Sequence, residues 1–279
     1  MKRIRLALIV CGLPALLLAA NWVLVTPSHD RGWALDHSVL ARAEQKGEVW
    51  RVSGVRDFSH QANGAVIQSQ WVERRVAPRD LARVWFVVEP FSGHEAVAHT
   101  MLSFEFTDGS ALVASVEARR EAHETYRALR GALLPSYEYA VIWATEADMY
   151  RDTVFAGDGA LYLYPLSLSP EAAKGVLTAM LELTAEVAET PRWYNTFFAN
   201  CANVLALTMN RVSPGAVGYD KAWFLPGYAA EFLHGEGYLG KGEGFEAVRA
   251  RAGAADRVKA LPLDVRGTDF SRAIRETTE

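Results

Sequence analysis

The amino-acid sequence predicts an α+β fold in which an antiparallel sheet packs on a helix that carries a cysteine. Between positions 49 and 165, several runs alternate between apolar and polar residues, which is typical of strands with one buried face. After Ser169 the apolar residues recur with the period of a helix. Strands that come first and helices that follow are typical of α+β proteins.

The first 28 residues predict a membrane-targeting segment. Three basic residues among the first five precede a run over residues 6–26 that has no charged side chain. A helix of that length spans the hydrocarbon layer of a bilayer, and the basic flank favours an orientation that leaves the rest of the chain outside the cytoplasm. We therefore expect one transmembrane helix, an anchor or uncleaved signal, within residues 1–28. A cleaved signal peptide that ends near Ala19 and Ala20 is the alternative.

The chain that follows is mainly sheet by its pattern. Asp108 and Gly109 lie between two alternating runs, which predicts a hairpin over residues 99–119. Residues 38–46 look helical instead. Further strands are expected over residues 49–55, 65–76, 84–88, 137–145 and 160–165.

The helices of the second half are predicted from their starts. Ser169 followed by Pro170 is a good start for a helix that runs to about residue 188. Asn200 is a good N-cap for an apolar helix over residues 202–209. Short helices are expected near residues 228–234 and 246–252, and the residues after about 261 are expected to be poorly packed. The predicted organisation is a segment 1–28, a main domain 29–215 and a partly helical C-terminal extension 216–279.

Composition and charge exclude several classes of function. The formal net charge is −4 and the chain has no polybasic tract, so no nucleic-acid partner is expected. Of the two cysteines, Cys201 alone lies beyond the N-terminal segment, so no intramolecular disulfide is expected there. The histidines are scattered, with one cysteine to join them, and there is no phosphate-binding glycine loop. We therefore expect neither a metal site nor another cofactor.

Cys201 is the candidate nucleophile. With Asn200 as the cap, it lies in the first turn of a helix, where unpaired N–H groups and the positive end of the dipole favour the thiolate. In an oxidising compartment an unpaired thiol is a liability, which favours a functional role. The alternative is a small buried apolar residue, because free cysteines are often buried.

His99 is the candidate base. It shares the more polar face of its strand with Met101, Ser103 and Glu105. A partly exposed surface histidine is the alternative. Glu117, on the neighbouring strand, is a candidate to orient the imidazole. A two-residue hairpin loop would place Glu117 on the opposite face, and a three-residue loop with a glycine bulge would pair it with His99 directly, so the sequence leaves this open.

Three segments resemble successive signature blocks of the Lnb N-terminal periplasmic domain family. They read AHTMLSFEFTDGSALVASVEARRE, YEYAVIWATEADMYRD and WYNTFFANCANVL, and the earlier VRDF at residues 55–58 fits as well. The resemblance covers roughly residues 50–211. The order of histidine strand, second strand and Asn-Cys at a helix start is also similar to permuted papain-like (NlpC-type) enzymes of the lecithin retinol acyltransferase type.

The resemblance implies a periplasmic catalytic domain over residues 29–215. Together with the single N-terminal helix expected from the sequence pattern, it predicts a protein held at the inner membrane of a bacterium. It implies Cys201 as nucleophile and His99 as base, with Asn200 and the helix N-terminus near the oxyanion. The other residues that match family positions, with less definite roles as triad member or substrate contacts, are Glu117, Arg119, Tyr194 and Asn195.

The resemblance also implies a reaction, since a similar family member transfers an acyl chain to the N-terminal amino group of a lipoprotein. We expect an acyltransferase that acts on lipid or lipoprotein through a cysteine thioester. A periplasmic cysteine peptidase or amidase acting on cell-wall peptide, and a non-catalytic binding domain, are the alternatives. An apolar groove beside Cys201 would favour acyl transfer and a polar cleft would favour hydrolysis. The candidates to line such a groove, which are otherwise core residues, are Trp193, Phe197, Phe198, Trp223 and Phe224.

Overall fold

The structure is a computed structural model that describes residues 20–276, with the exception of 92, 93, 95 and 158. Most of the predicted transmembrane segment, residues 1–19, lies outside this range. Residues 20–24 are helical. Within the described part of the chain, no helix is long and apolar enough to cross a bilayer.

A twisted sheet forms the centre of the molecule. Among the described residues it has eight strands, in the spatial order β1-β2-β9-β8-β7-β6-β10 with β5 beside β2, and a separate small hairpin pairs β3 with β4. All strand pairs are antiparallel except β2 with β9. The strands are β1 (Arg42–Lys46), β2 (Val49–Arg56), β3 (Ser59–His60), β4 (Val66–Gln68), β5 (Trp71–Val76), β6 (Leu81–Pro90), β7 (Ala98–Phe106), β8 (Ala111–Arg119), β9 (Glu138–Thr145) and β10 (Tyr162–Pro165).

Helices cover both faces of this sheet. Two long helices, α3 and α4, pack together on one face, and shorter ones cover the other. The α-helices are α1 (Ala128–Leu133), α2 (Glu146–Arg151), α3 (Pro170–Glu189), α4 (Cys201–Val212), α5 (Ala229–Gly235), α6 (Phe245–Ala252), α7 (Ala255–Ala260) and α8 (Gly267–Ala273). A π-helical turn, Asp152–Ala156, continues α2.

Each face of the sheet has its own core. Leu102, Phe104 and Trp143 point towards α3 and α4 and belong to the larger core, which includes Cys201. The alternate residues Met101, Val113 and Ile142 belong to the smaller core on the opposite face. This division follows from the period of two along each strand, so neighbouring residues of one strand serve different layers.

The predicted α+β class, with a mostly antiparallel sheet and a packed helix that begins at Cys201, is confirmed. The predicted strands from residue 49 to residue 165 are present within a few residues, except that the run expected over 65–76 is divided into β4 and β5, which belong to different sheets. The four predicted helices of the second half are present within a few residues. The permuted papain-like arrangement stays a prediction.

Two expectations are wrong. Residues 42–46, expected in a helix, form β1, because pairing with β2 and burial of Ala43 outweigh local helix propensity. Residues 262–276, expected to be poorly packed, contain Phe270 and Ile274, which are both fully buried in the smaller core. The pattern also gave no sign of the short helices α1, α2, α7 and α8.

Candidate active site

Cys201 is the first residue of α4 and is 5% exposed. Asn200 caps this helix with both halves of a capping box: its Oδ1 accepts from the Asn203 N–H (2.9 Å), and its own N–H donates to Asn203 Oδ1 (2.9 Å). The Val204 N–H donates to the Asn200 carbonyl (3.2 Å). Of the first four N–H groups of the helix, those of Asn203 and Val204 thus have acceptors, whereas those of Cys201 and Ala202 have none among the described residues.

His99, Ser115 and Glu117 form a hydrogen-bonded group on β7 and β8. The His99 Nε2 lies 2.9 Å from Glu117 Oε1 and 2.6 Å from Ser115 Oγ. The Ser115 hydroxyl donates to Glu117 Oε1 at 2.5 Å. The imidazole and the Cys201 sulfur also interact electrostatically, and each shifts the pKa of the other.

The hairpin loop decides this geometry. Phe106 and Ser110 are joined by a hydrogen bond from Phe106 N to Ser110 O (2.8 Å), so the loop has three residues, and Gly109 has a φ of 80°. Met101 pairs with Ser115, and the same register places His99 opposite Glu117. Of the two loops that the sequence allowed, the structure has the one with a glycine in the left-handed region.

The charges of this group stabilise one another. Burial alone would lower the pKa of His99, but the Glu117 carboxylate and the Cys201 sulfur raise it well above its usual range. Burial would raise the pKa of Cys201, yet the adjacent imidazolium holds it below its usual range. Burial likewise opposes ionisation of Glu117, but His99 lowers the pKa of that carboxyl to about 2. These directions favour a thiolate–imidazolium pair at neutral pH.

Thr100 supplies a second contact to the sulfur. Its side chain is fully buried, and its hydroxyl has no hydrogen-bond partner in the part of the chain that the structure describes. The hydroxyl and backbone of Thr100 lower the pKa of Cys201, since a nearby donor stabilises a thiolate.

Asn200 is a positioning residue in this structure. Its amide Nδ2 donates to the carbonyls of Thr196 (2.8 Å) and Trp223 (3.0 Å), and its Oδ1 holds the helix cap. Both amide hydrogens are therefore used, and the side chain offers no free donor to an oxyanion. Asn200 orders the helix end, and the place of that helix end near an oxyanion stays a prediction.

Two other predicted substrate contacts do not line the cavity beside Cys201. Asn195 stabilises its own loop: its Nδ2 donates to the Ala132 carbonyl (3.0 Å), and its Oδ1 accepts from the Phe198 N–H (3.1 Å). Arg119 is buried under the Trp33 ring, 4.0 Å from its centroid, and burial lowers its pKa to about 10. Both residues support the fold around the site.

Tyr194, in contrast, lines the cavity and is buried. Burial and the nearby Cys201 sulfur raise its pKa well above its usual range, so its hydroxyl keeps its proton. Its ring packs edge-on against Tyr126 at 6.1 Å between centroids.

The cavity has a volume of about 460 Å³ and touches Cys201, His99 and Glu117. Its wall is mixed. Apolar side chains include Phe91, Val97, Ile142, Met149 and Phe224, and charged ones include Asp36, Arg56, Glu89, Arg120 and Asp152. Of the aromatic residues considered as groove candidates, Phe224 lines the cavity, Trp223 is core, and Phe197 and Phe198 are exposed beside it.

The charged wall was missed from the sequence, although its signal is present in the VRDF and ATEADMYRD segments. Arg56 of the first segment donates from Nε to Asp148 Oδ2 of the second (2.9 Å) and also pairs with Asp152 (3.2 Å). His60 binds the other Asp148 oxygen at 2.8 Å. A buried charge is stable only when it is paired, so the arginine of the first segment and the aspartate of the second account for each other's presence in the interior.

The fold and the site together define an α+β protein in which a buried cysteine and a partly buried histidine and glutamate meet at the wall of a cavity. The chain belongs to the Lnb N-terminal periplasmic domain family, whose sequence model matches residues 67–222. That stretch is more than half of the chain and contains Cys201, His99 and Glu117. Because the family is one of periplasmic domains, the match indicates a periplasmic protein. No curated protein and no solved structure matched the chain.

Proposed function

We propose that this protein is a thiol-dependent acyltransferase that takes an acyl chain from a lipid ester and gives it to an amine, with a lipoprotein as the acceptor. The observation that supports this most is the grouping of Cys201, His99 and Glu117 at the wall of one cavity of about 460 Å³, with the imidazole 2.9 Å from the carboxylate. That volume is within the range of sites that bury a small ligand. The arrangement of strand histidine and helix cysteine fits a permuted papain-like core.

The first step is attack of the Cys201 thiolate on the ester carbonyl. The sulfur–carbon bond forms, the carbon–oxygen bond to the glycerol breaks, and the His99 imidazolium gives its proton to the departing alkoxide. The products are an S-acyl cysteine and a lysolipid alcohol. Glu117 holds the imidazole ring in place throughout, as the carboxylate of a triad does.

In the second step a neutral amine attacks the thioester, and the now neutral His99 accepts its proton. The carbon–nitrogen bond forms and the carbon–sulfur bond breaks, which returns the thiolate and the imidazolium. Each tetrahedral intermediate carries an oxyanion. The N–H groups of Cys201 and Ala202, at the positive end of α4, are suitable donors to it.

A membrane location fits this chemistry, because the acyl donor is a membrane lipid. We include in the proposal that the uncharged run at residues 6–26 anchors the protein in the bacterial inner membrane, with the described domain on the periplasmic side. The partners are then a phospholipid and a lipoprotein.

A second candidate is peptide hydrolysis, as by a cysteine peptidase or an amidase on cell-wall peptide. The charged wall favours it, since Asp36, Arg56, Glu89, Arg120 and Asp152 are suited to a polar substrate. The same cysteine and histidine would serve, with water in place of the amine.

The deciding experiment is the intact mass of the purified protein after incubation with phospholipid vesicles. Acyl transfer predicts that the mass of the parent increases by one acyl chain and that the mass of Cys201→Ala does not change. When a diacylated lipopeptide with a free amine is added, the parent should lose this acyl chain again. His99→Ala should form the adduct far more slowly. The absence of any adduct on a folded, alkylatable Cys201, together with cleavage of a cell-wall peptide, would replace this proposal with the hydrolase.

A further inference from the structure

Four aromatic side chains lie at the surface beside the cavity, and we call them the aromatic rim: Phe197, Phe198, Tyr219 and Phe224. Phe198 is 74% exposed and Tyr219 is 86% exposed. Phe224 joins them, since its ring lies 6.3 Å from Phe198 and 5.8 Å from Tyr219, and it also lines the cavity. Exposed clusters of this kind mark interaction sites, because water disfavours large apolar patches.

The aromatic rim is connected to α1 by hydrogen bonds. Thr196 donates from Oγ1 to the Ala128 carbonyl (2.8 Å), and Asn195 donates to the Ala132 carbonyl (3.0 Å). The loop that carries Phe197 and Phe198 is therefore fixed on α1. This helix has its own exposed apolar side chains, Leu129 and Leu133.

The other neighbour of α1 is the end of the N-terminal segment. The Trp22 indole donates to the Leu133 carbonyl at 3.0 Å, and the following Val23 and Leu24 are highly exposed. These residues close the uncharged run that begins at Leu6. The exposed apolar groups thus follow one another from residues 22–24 through α1 to the aromatic rim and the cavity.

We propose that the aromatic rim and the exposed leucines of α1 enter the surface of the bilayer that holds residues 6–26, so that the cavity opens onto the lipid. The proposal rests on the proposed function and deepens it by naming where the acyl donor enters. An acyl chain that passed from bilayer to cavity through water would lose its apolar surroundings. Phe224, shared between aromatic rim and cavity, gives the chain an apolar path to Cys201.

Aromatic side chains suit this position, since they concentrate at membrane interfaces and insert where headgroups meet acyl chains. The bilayer is favoured over a second copy of the chain because the segment next to α1 leads directly into the uncharged run. A second copy is instead one of the outcomes of the test.

The test places the photoreactive residue p-benzoylphenylalanine at position 198 of the full-length protein in vesicles of phosphatidylethanolamine and phosphatidylglycerol. The matched control is position 67, where Ile67 is 60% exposed but lies on the β3–β4 hairpin. After flotation of the vesicles and illumination, mass spectrometry should find several-fold more phospholipid adduct at 198 than at 67. Cross-linking needs no turnover, so it is independent of the thioester assay.

Equal lipid labelling at the two positions, or protein–protein cross-links at 198, would overturn the proposal. Failure of the protein to float with the vesicles would overturn it together with the proposed anchor. If the aromatic rim enters the bilayer, Phe198→Ser should lower the rate of thioester formation from vesicle phospholipid several-fold. The same variant should leave iodoacetamide alkylation of Cys201 unchanged, since Phe198 is outside the cavity wall.

Discussion

At the scale of single residues, Glu117 sets the charge state of the site. We expect Glu117→Gln to lower the pKa of His99, because the carboxylate that raises it is removed. A less stable imidazolium gives less support to the thiolate, so the pKa of Cys201 should rise. Since one pKa unit corresponds to about a tenfold change, alkylation of Cys201 near neutral pH should slow by about tenfold or more. The rate of iodoacetamide alkylation against pH measures this directly.

The direction in which the alkylation profile of Cys201 shifts along the pH axis is the most specific test of that prediction. In the parent, the thiolate forms as pH rises through the lowered pKa of Cys201, and in Glu117→Gln the same rise should lie at higher pH. Glu121→Gln is the matched control, since this carboxylate pairs with Arg31 away from the cavity. A Glu117→Gln profile that overlies the parent profile would contradict the thiolate–imidazolium pair.

Thr100 makes a separate contribution to the thiolate. Thr100→Val keeps the shape of the side chain and removes the hydroxyl, so the pKa of Cys201 should rise by about one unit, the effect of one hydrogen bond to a charged group. Thr100→Ser should retain most of the parent behaviour. The same alkylation profile separates the two variants, and equal profiles for both would show that the hydroxyl does not donate to the sulfur.

At the scale of elements, the start of α4 links stability to reactivity. Asn200→Ala removes the Oδ1 that accepts from the Asn203 N–H and the Nδ2 that donates to the Thr196 and Trp223 carbonyls. The loss of the cap alone should lower the free energy of unfolding by about 1–2 kcal/mol. Because the N–H groups around Cys201 are then less ordered, alkylation should slow as well. Urea unfolding and iodoacetamide kinetics on the same samples measure the two effects.

The cap of α3 provides a control for the Asn200→Ala variant. Ser169 caps α3 through a single bond from the Ala172 N–H (3.2 Å) and lies away from the cavity. Ser169→Ala should cost about 1 kcal/mol of stability and leave the alkylation rate unchanged. If both variants slowed alkylation equally, the reactivity of Cys201 would follow global stability instead of the cap.

The two helix starts also show which elements can be predicted from sequence. Ser169 and Asn200 signal their helices through bonds to residues three positions away, so the signal is local. The strand at 42–46 could not be found in this way, because its partner β2 and the burial of Ala43 come from the folded sheet. The hairpin at Asp108 is an intermediate case. The local pattern predicted that the hairpin exists, but the register of its two strands could be read only from the structure.

The candidate site follows the same rule. Cys201 and His99 were predicted because a helix cap and a strand face are local features. Ser115 was missed, although its spacing of two from Glu117 places both on one face of β8. The pair of Arg56 with Asp148 could not be predicted with any certainty from one sequence, because it depends on how β2 and α2 meet.

At the scale of the whole molecule, the C-terminal residues support the wall of the cavity. Arg275 forms a buried ion pair with Glu146 at the start of α2, and the Arg151 guanidinium at the end of α2 lies 4.9 Å from the Phe270 ring centroid. Met149, within α2, and Asp152, just beyond it, line the cavity. The C-terminal segment therefore holds α2 against the sheet.

This arrangement predicts a large loss of stability from one distant substitution. Phe270→Ala removes a fully buried ring from the smaller core and should lower the free energy of unfolding by about 3–5 kcal/mol. Leu263→Ala, at an exposed position of the same segment, should change it by less than about 0.5 kcal/mol. Urea unfolding of the two variants measures this difference. The total free energy of unfolding of a domain is about 5–15 kcal/mol, so the loss expected for Phe270→Ala is a large part of it. Similar urea midpoints for both variants would mean that the C-terminal segment does not belong to the cooperative core.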